Sequence, residues 1–441
     1  MDFLFIIYFF AGIFLMVMGI RVTKLSPFRL SVTSFLIISL IVFAYIGLFF
    51  LYFGLDPWVK DVVNEKKVVF DVLLCALWGI LAIIGVKIVL DGAVIGKPSI
   101  NYISSSIVGL DKSETLMLKI IFFVNVLVLI VYLSKIPEIA LFVAFTRGAA
   151  AAEVARSAMG NNFQGKYHWY SLCMHDYGAI LTFAAFGNWL LYRRRQDWQI
   201  FGFSFIYTGF TTLMATAKAP FAWLVIGLYM MYLLQEKRGQ LNLKGAIKLG
   251  FPLLAILVTA FMTFSGFRKL SNALLGVVSR IFVSSIEPAY HYFQFFPARH
   301  PFINGRSFPN PGGLFGFESF NLPVEIANFV WPELRARGVI GSMPTVYWAE
   351  MYANFGTMGI VLAPVIVGVL VYVIDHLFGR CVRSPLDRAL LIWLILHYKD
   401  LAITGLSGFI IDFQLIMVLG VFLLGRITLR GFFGSNQSLT Q

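Results

Sequence analysis

Charged residues are scarce in this chain: Asp, Glu, Lys and Arg together make up 13% of its 441 residues. The sequence contains no Asp-x-Asp pair, no His-x-x-x-His pair and no Gly-x-Ser-x-Gly turn. These absences argue against a carboxylate-held metal, a His-ligated zinc ion and a hydrolase of the Ser-His-Asp type. A nucleotide-binding glycine loop is lacking as well. We therefore expect chemistry that uses no metal and no other cofactor.

Cysteine is also rare, with Cys75, Cys173 and Cys381 as the three residues of this type. They lie far apart and form neither a metal-ligand spacing nor a disulfide framework, so we interpret them as small core residues. The first apolar run has no basic leader and no small-residue cleavage site. We therefore expect no cleavable signal peptide.

Apolar residues are what the chain has in excess: 59% of it is hydrophobic, and its mean hydropathy is +0.82. A soluble domain of ordinary composition is far less apolar. Many separate runs reach the roughly 20 residues that a helix needs to cross a bilayer. Backbone groups inside a bilayer find no water, so such runs must be helical. The sequence predicts an all-α polytopic membrane protein, with residues 1–441 as one integral membrane domain.

We predict about eleven transmembrane helices, within a range of about ten to thirteen. The predicted spans cover residues 3–20, 30–53, 70–90, 117–134, 171–192, 199–214, 219–235, 245–264, 355–376, 388–403 and 407–426. Residues 273–296 are also apolar, but Arg280, Glu287 and His291 interrupt them. This pattern favours a re-entrant or surface-lying helix.

The net charge of +13 comes mostly from short loops that follow the odd-numbered spans. The main basic residues of these loops are Arg21, Lys24, Arg29, Arg193, Arg194, Arg195, Lys237, Arg238, Lys244, Lys248, Arg380, Arg383, Arg388, Arg426 and Arg430. Short basic loops remain in the cytoplasm, which predicts an outside N-terminus and a cytoplasmic C-terminus. Because this bias explains the charge and no soluble basic domain is present, we expect no nucleic-acid binding.

Two long segments, 135–170 and 265–354, fall on the predicted outer face. The second contains many Pro and Gly residues, as in the run 308–316. Long structured segments of this kind usually carry function. A functional site is therefore expected on the outer side of the membrane.

Basic residues gather near this outer face, and the candidates for ligand contact are Arg147, Arg156, Lys218, Arg268 and Arg280. A guanidinium group binds phosphate through two hydrogen bonds and keeps its charge at any relevant pH. The cluster therefore suits a lipid-linked phosphate or pyrophosphate. For any single Arg, pairing with a neighbouring acid or a lipid headgroup is the competing interpretation.

Acidic and aromatic residues complete the predicted site. Glu287 and Glu350 are alternative candidates for a catalytic base, although Glu350 also suits a carboxylate that interacts with a helix dipole. The residues expected to orient a sugar or a carboxylate are Tyr290, His291, Tyr352 and Asn354. Aromatic rings stack on sugars, but they also form the interfacial belt of membrane proteins, and both interpretations remain open.

Two stretches of the chain resemble the O-antigen and exopolysaccharide repeat-unit polymerases, the Wzy-type integral membrane glycosyltransferases. One stretch, 350–359, reads Glu-Met-Tyr-Ala-Asn-Phe-Gly-Thr-Met-Gly and is similar to a motif that opens a late span in that family. The other runs from Arg280 to Pro297 and continues as His-Pro-Phe-Ile-Asn-Gly-Arg-Ser over 300–307. The plan of about a dozen spans with one large late outer loop is also similar. One departure is that no Arg of either long segment matches the Arg-x10-Gly pattern of some family members.

The resemblance implies a GT-C-like, metal-independent glycosyltransferase in the bacterial cytoplasmic membrane, with an active site facing the periplasm. Its substrate would be oligosaccharide on undecaprenyl pyrophosphate, surrounded by membrane lipids. A chain-length regulator and a flippase are the protein partners that it implies. The growing glycan would leave its carrier and join a hydroxyl of the incoming repeat unit.

Two other functions compete with repeat-unit polymerisation. A lipid-linked glycan ligase, or another polyprenyl-phosphate-dependent glycosyltransferase, would use the same chemistry with a different acceptor. A polysaccharide flippase or transporter would be expected to show internal repeats and ionisable residues at the bilayer midplane. In this chain the ionisable residues gather towards one face instead.

Overall fold

The computed structural model describes residues 1–23, 29–93, 108–161, 167–237, 239–240, 243–264, 269–336 and 341–438. Over these ranges the chain is helical and forms no β-strand; an isolated bridge joins Tyr347 to Gly405. Lys24, Arg238 and the candidate site residue Arg268 lie outside the described residues.

The helices follow one another closely along the chain. Those in the first part are α1 Asp2–Val22, α2 Val32–Leu40, α3 Gly47–Tyr52, α4 Lys66–Ala93, α5 Lys112–Leu133, α6 Ala140–Arg147, α7 Ala149–Asn161, α8 Tyr167–Ser171, α9 Gly178–Tyr192, α10 Arg195–Leu213, α11 Lys218–Glu236 and α12 Leu243–Phe264. Those in the second part are α13 Leu270–Val278, α14 Glu287–Phe295, α15 Leu322–Val330, α16 Pro332–Ala336, α17 Tyr347–Phe355, α18 Thr357–Cys381, α19 Pro385–Tyr398, α20 Ser407–Ile410 and α21 Phe413–Ser438. π-Helical turns occupy Ile41–Tyr45, Leu172–Tyr177 and Ser279–Val283, and 3-10 turns occupy Pro311–Gly313 and Lys399–Ala402.

Every predicted span coincides with helical residues, and the prediction of an all-α polytopic membrane protein is confirmed. Among the described residues, seven helices are long and apolar enough to cross a membrane: Asp2–Val22, Val32–Tyr52, Lys66–Ala93, Lys112–Leu133, Lys218–Glu236, Thr357–Phe378 and Ser407–Leu429. An eighth span results if Leu270–Val283 and Glu287–Phe295, which meet at a bend of 51°, are counted as one. The count of about eleven and the orientation stay predictions.

The chain folds as two compact units, each built from three stretches of sequence. The first unit contains Met1–Ile100, Leu275–Leu377 and His397–Asp412. The second contains Asn101–Leu274, Phe378–Leu396 and Phe413–Gln441. The segment 135–170 belongs to the second unit, and the segment 265–354 belongs to the first unit from Leu275 onward.

In the second unit, the segment 135–170 folds, over its described residues, around a pair of packed helices. α6 and α7 are joined at Gly148, whose φ of +87° lies in the left-handed region that glycine adopts without strain. Ala152 and Met159 of α7 are buried against Tyr132 of α5 and Met214. The hydroxyl of Tyr132 donates to the Met159 carbonyl at 3.2 Å. This segment therefore has a hydrophobic core of its own.

In the first unit, α14, α15 and α17 of the segment 265–354 pack around a shared core. Its buried members are Tyr292, Phe296, Ile303, Leu322, Ile326, Ala327, Met343 and Ala353. α14 and α15 each begin with a proline in the first turn, where a missing backbone N–H carries no cost. The core fixes the end of α14, the loop after it and α17 relative to one another.

A buried carboxylate of α18 caps α2 in the same unit. The Asp375 oxygens accept from the backbone N–H groups of Val32 at 2.8 Å and Thr33 at 3.0 Å. The first N–H groups of a helix have no partner within the helix, and a negative charge there is stabilised by the helix dipole. Asp375 is therefore explained by helix capping.

Two glycines determine how α17 joins α18. Gly356 ends α17 with a φ of +60°, a conformation that side chains rarely adopt. A Cβ at Gly359 would lie 2.0 Å from the carbonyl oxygen of Met351, because the start of α18 lies directly against α17. The two glycines of the stretch 350–359 are thus required by backbone geometry.

We predict that Gly359→Ala destabilises the protein by about 1–3 kcal/mol, because the added methyl group overlaps backbone that cannot move aside. Gly85→Ala is the matched control: Gly85 lies in α4, and a Cβ there meets nothing within 4 Å. Thermal unfolding of the detergent-solubilised variants measures both. Equal melting temperatures for the two variants would contradict the close packing of α17 on α18.

Candidate active site

Glu350 is the most deeply buried carboxylate of the described part of the 265–354 segment, with 6% of the residue exposed. It lies in the first turn of α17. Its Oε1 accepts from the Ser307 hydroxyl at 3.0 Å, and its Oε2 accepts from the Ser407 backbone N–H at 2.9 Å.

The side chain of Asn354, one turn after Glu350, forms hydrogen bonds to the loop that contains Ser307. Its amide donates to the Ser307 hydroxyl at 2.8 Å, and its side-chain oxygen accepts from the Gly305 N–H at 2.9 Å. The N–H groups of Ile303 and Asn304 donate to the last carbonyls of α17 at 3.1 and 3.0 Å. The stretch 350–359 is therefore joined to residues 300–307, the last part of the other stretch that carries the sequence resemblance.

The third contributor is the segment 404–408, whose backbone passes directly beside the carboxylate. A Cβ at Gly405 would lie 2.3 Å from Glu350 Oε2, so a glycine is needed for this approach. Gly405 also forms the bridge to Tyr347 at the start of α17. Ser407 follows as the N–H donor.

A cavity of about 480 Å³ opens beside Glu350 within the first unit. Its lining residues come from α14, from the loop 306–323, from the start of α17 and from the segment 404–408; they are Tyr292, Arg306, Ser307, Phe308, Pro309, Asn310, Ser319, Phe320, Asn321, Leu322, Pro323, Pro344, Thr345, Glu350, Thr404, Gly405, Ser407 and Gly408. The volume lies within the range of roughly 300–1,000 Å³ that is typical of small-molecule sites.

The loop around the cavity is braced by its own side chains. The Asn310 amide donates to the carbonyls of Phe315 and Phe317 at 2.9 and 2.8 Å, and its oxygen accepts from the Phe315 N–H. Arg306 donates to the Glu318 carbonyl at 3.0 Å and stands over the Phe320 ring at 5.9 Å. These bonds give the cavity a defined wall.

Burial raises the pKa of the Glu350 carboxyl above its usual range, because removal from water disfavours the charged form. The hydrogen bonds from Ser407, Ser307 and Leu406 oppose this shift, since they stabilise the carboxylate. A carboxyl with a raised pKa is a stronger base once it is ionised. The arrangement can therefore accept a proton from a hydroxyl that binds in the cavity.

The other predicted acid, Glu287, begins α14 and lies 3.5 Å from Nε2 of the buried His291. The Tyr290 hydroxyl oxygen accepts hydrogen bonds from the backbone N–H groups of Asn64 and Glu65. It thereby stabilises the loop before α4. The Tyr352 hydroxyl donates to the Phe296 carbonyl at 3.1 Å. Glu287, Tyr290, His291 and Tyr352 are not among the residues that line the Glu350 cavity.

The predicted cations are distributed over both units. Arg280 is exposed on the π-helical turn Ser279–Val283 of the first unit. In the second unit, Arg147 pairs with Glu138, and Arg156 is exposed on α7. Lys218 begins α11 and lies 4.6 Å from the centre of the Phe261 ring. A pyrophosphate-binding role for these residues stays a prediction.

Several residues of the site were missed by the sequence analysis: Arg306, Ser307, Thr345, Gly405 and Ser407. Arg306 and Ser307 lie within the stretch 300–307, but nothing in that stretch assigned them a role. The run 404–408, Thr-Gly-Leu-Ser-Gly, carries the composition of a turn, and a turn between two predicted spans was its only signal.

Within the described ranges, no group of three or more His, Cys, Asp or Glu side chains lies close enough to hold a metal ion. The chain matches no protein-family model, and neither a curated protein nor a solved structure is similar enough to be matched to it.

We predict that Ser307→Ala raises the pKa of Glu350 further, because the carboxylate loses a hydrogen-bond donor. A carboxyl whose pKa is raised by folding stabilises the protein below its unfolded pKa of about 4.3, and this contribution is lost as pH rises through the folded pKa. The variant should therefore lose about 1–3 kcal/mol of stability near neutral pH and less in acid.

Melting temperatures measured across this pH range check the expected trend. Ser319→Ala is the control, because Ser319 is exposed and lines the same cavity, and no contact with Glu350 is observed. A pH-independent loss in Ser307→Ala, equal to that of the control, would show that Ser307 does not act on the Glu350 carboxylate.

Proposed function

We propose that the protein polymerises lipid-linked oligosaccharide repeat units, with Glu350 as the general base. The observation that carries the proposal is the buried Glu350 carboxylate, which is held by Ser307 and Ser407 at the edge of a ligand-sized cavity. The likeness of the stretches 280–307 and 350–359 to repeat-unit polymerases supports it, because residues 305–307 of the first stretch contact the second at the site. A membrane-embedded chain also suits a polyprenyl-linked substrate.

In the proposed reaction, Glu350 accepts the proton of a hydroxyl on the incoming repeat unit. The hydroxyl oxygen forms a bond to the anomeric carbon of the growing glycan. The bond between that carbon and the pyrophosphate oxygen breaks, and the polyprenyl pyrophosphate leaves with the electron pair. Because Glu350 must be ionised to act, activity should fall as pH drops below its raised pKa.

Cations near the leaving group would stabilise the charge that develops on the pyrophosphate, as fixed positive groups do in other transfer reactions. Arg280 is the candidate from the first unit, because it is exposed on the π-helical turn Ser279–Val283, and such turns occur frequently at functional sites. Arg147, Arg156, Lys218 and Arg268 remain candidates from the sequence.

Glu350→Gln should reduce the polymerisation rate by about 10²–10⁴-fold, because the amide cannot take up a proton. The variant should fold, since its oxygen can accept from the Ser407 N–H while its NH₂ donates to the Ser307 hydroxyl. The assay gives purified protein in vesicles a lipid-pyrophosphate oligosaccharide and separates the products by size. Wild-type protein is expected to give a ladder of longer glycans without nucleotide sugar or added metal.

Glu287→Gln is the matched comparison, because Glu287 pairs with His291 and does not line the cavity. It should keep most of the activity. A strong loss in Glu287→Gln together with an active Glu350→Gln would transfer the base role to Glu287. A single addition to a different acceptor lipid, without a ladder, would make the protein a ligase.

Arg280→Ala should weaken the use of the donor by about 10- to 100-fold, the usual effect of losing a charge-assisted hydrogen bond to phosphate. Arg280→Lys keeps the charge but cannot form two parallel hydrogen bonds to one phosphate. Its rate of donor use should therefore lie between those of Arg280→Ala and the wild type. Rates at varied donor concentration measure the effect. Unchanged rates in Arg280→Ala, with a normal protein level, would remove Arg280 from the site.

A further inference from the structure

We propose that the Glu350 cavity binds the uncharged acceptor sugar rather than the pyrophosphate of the donor, and that Thr345 is a further binding residue for a hydroxyl of that sugar. The proposal deepens the proposed function and rests on it. It assigns a substrate to the cavity and names a residue that recognises it.

The charges around the cavity disfavour a pyrophosphate. Among the residues that line it, Arg306 is the cation and Glu350 is the anion. The Arg306 side chain is directed to Glu318, with its Nε on the Glu318 carbonyl and its Nη2 3.7 Å from the carboxylate. A pyrophosphate in the cavity would therefore meet the Glu350 carboxylate without enough positive charge to compensate it.

The remaining lining suits a carbohydrate. The lining includes the aromatic residues Phe308 and Phe320 together with the polar residues Asn321 and Ser407. A sugar ring carries both kinds of surface, with C–H groups on its faces and hydroxyls around its edge. The lining thus offers partners to an uncharged ring without placing a second anion next to Glu350.

Thr345 provides the independent observation. It lies just before α17 and lines the cavity, and only 1% of the residue is exposed. Its Oγ1 is buried and has no hydrogen-bond partner among the described protein groups. A buried hydroxyl without a partner destabilises a protein, and a ligand hydroxyl in the cavity would satisfy it.

The position of Thr345 adds a reason for selectivity. Thr345 and Glu350 both line the cavity near the start of α17, so one sugar could contact both of them. A site built to bond a hydroxyl rejects an analogue that lacks it, because the protein group is then left unpaired. We therefore expect the enzyme to discriminate against deoxy sugars at the hydroxyl that Thr345 contacts.

The test compares Thr345→Val with Thr345→Ser. Valine keeps the shape and removes the hydroxyl, whereas serine keeps the hydroxyl and loses the methyl group. The probe is the oligosaccharide released from the carrier lipid of cells that lack this protein. Its binding to the purified full-length chain is measured by saturation-transfer NMR, with inorganic pyrophosphate as a competitor.

We expect Thr345→Val to bind the oligosaccharide about fivefold more weakly and to raise the acceptor KM in the ladder assay by a similar factor, as for one lost hydrogen bond. Thr345→Ser should bind as the wild type does. Because the hydroxyl has no protein partner, Thr345→Val should melt at the same temperature as the wild type or higher. Pyrophosphate should not displace the oligosaccharide.

Three outcomes would overturn the proposal: equal oligosaccharide binding by Thr345→Val and the wild type, displacement of the oligosaccharide by pyrophosphate, or a lower melting temperature for Thr345→Val alone. A failure of the proposed function would give a result distinct from these three. Wild-type protein would then give no ladder from lipid-linked repeat units, whatever the Thr345 variants do.

Discussion

A buried carboxylate without donors would destabilise this fold, and the arrangement around Glu350 meets that constraint. The Ser307 hydroxyl and the Ser407 N–H hold its oxygens, and Asn354 holds Ser307 in turn. Three separate stretches of the first unit converge because the carboxylate on one of them bonds to partners on the other two. The cavity is the space that remains between these stretches once the bonds are made.

The same network links stability to chemistry. Burial favours the protonated form of Glu350, and the donors favour the ionised form, so the balance between them sets the strength of the base. Gly405 contributes by leaving room for the backbone beside the carboxylate. Packing, proton affinity and access to the cavity therefore depend on the same few residues.

The sequence was sufficient for the class of fold, because hydrophobic runs in a membrane can only be helical. It also singled out Glu350 and Asn354, since polar groups at the mouth of a span are costly unless they have a role. It could not identify Ser407 or Thr345. Ser407 contacts Glu350 through its backbone N–H, and Thr345 stands out because its buried hydroxyl has no hydrogen-bond partner among the described residues. Neither property leaves a pattern in the sequence. The number of spans depends on helices such as α10 and α12. Their apolar runs do not determine whether these helices cross the membrane.

The distance along the chain between the partners of Glu350 has a consequence for biogenesis. Ser307 precedes the carboxylate, but Ser407 follows it by 57 positions, beyond α18 and α19. During synthesis the carboxylate is therefore made well before its backbone donor. Until the chain has been extended past α19 to Ser407, Glu350 lacks this donor, and the three stretches that build the site cannot yet assemble.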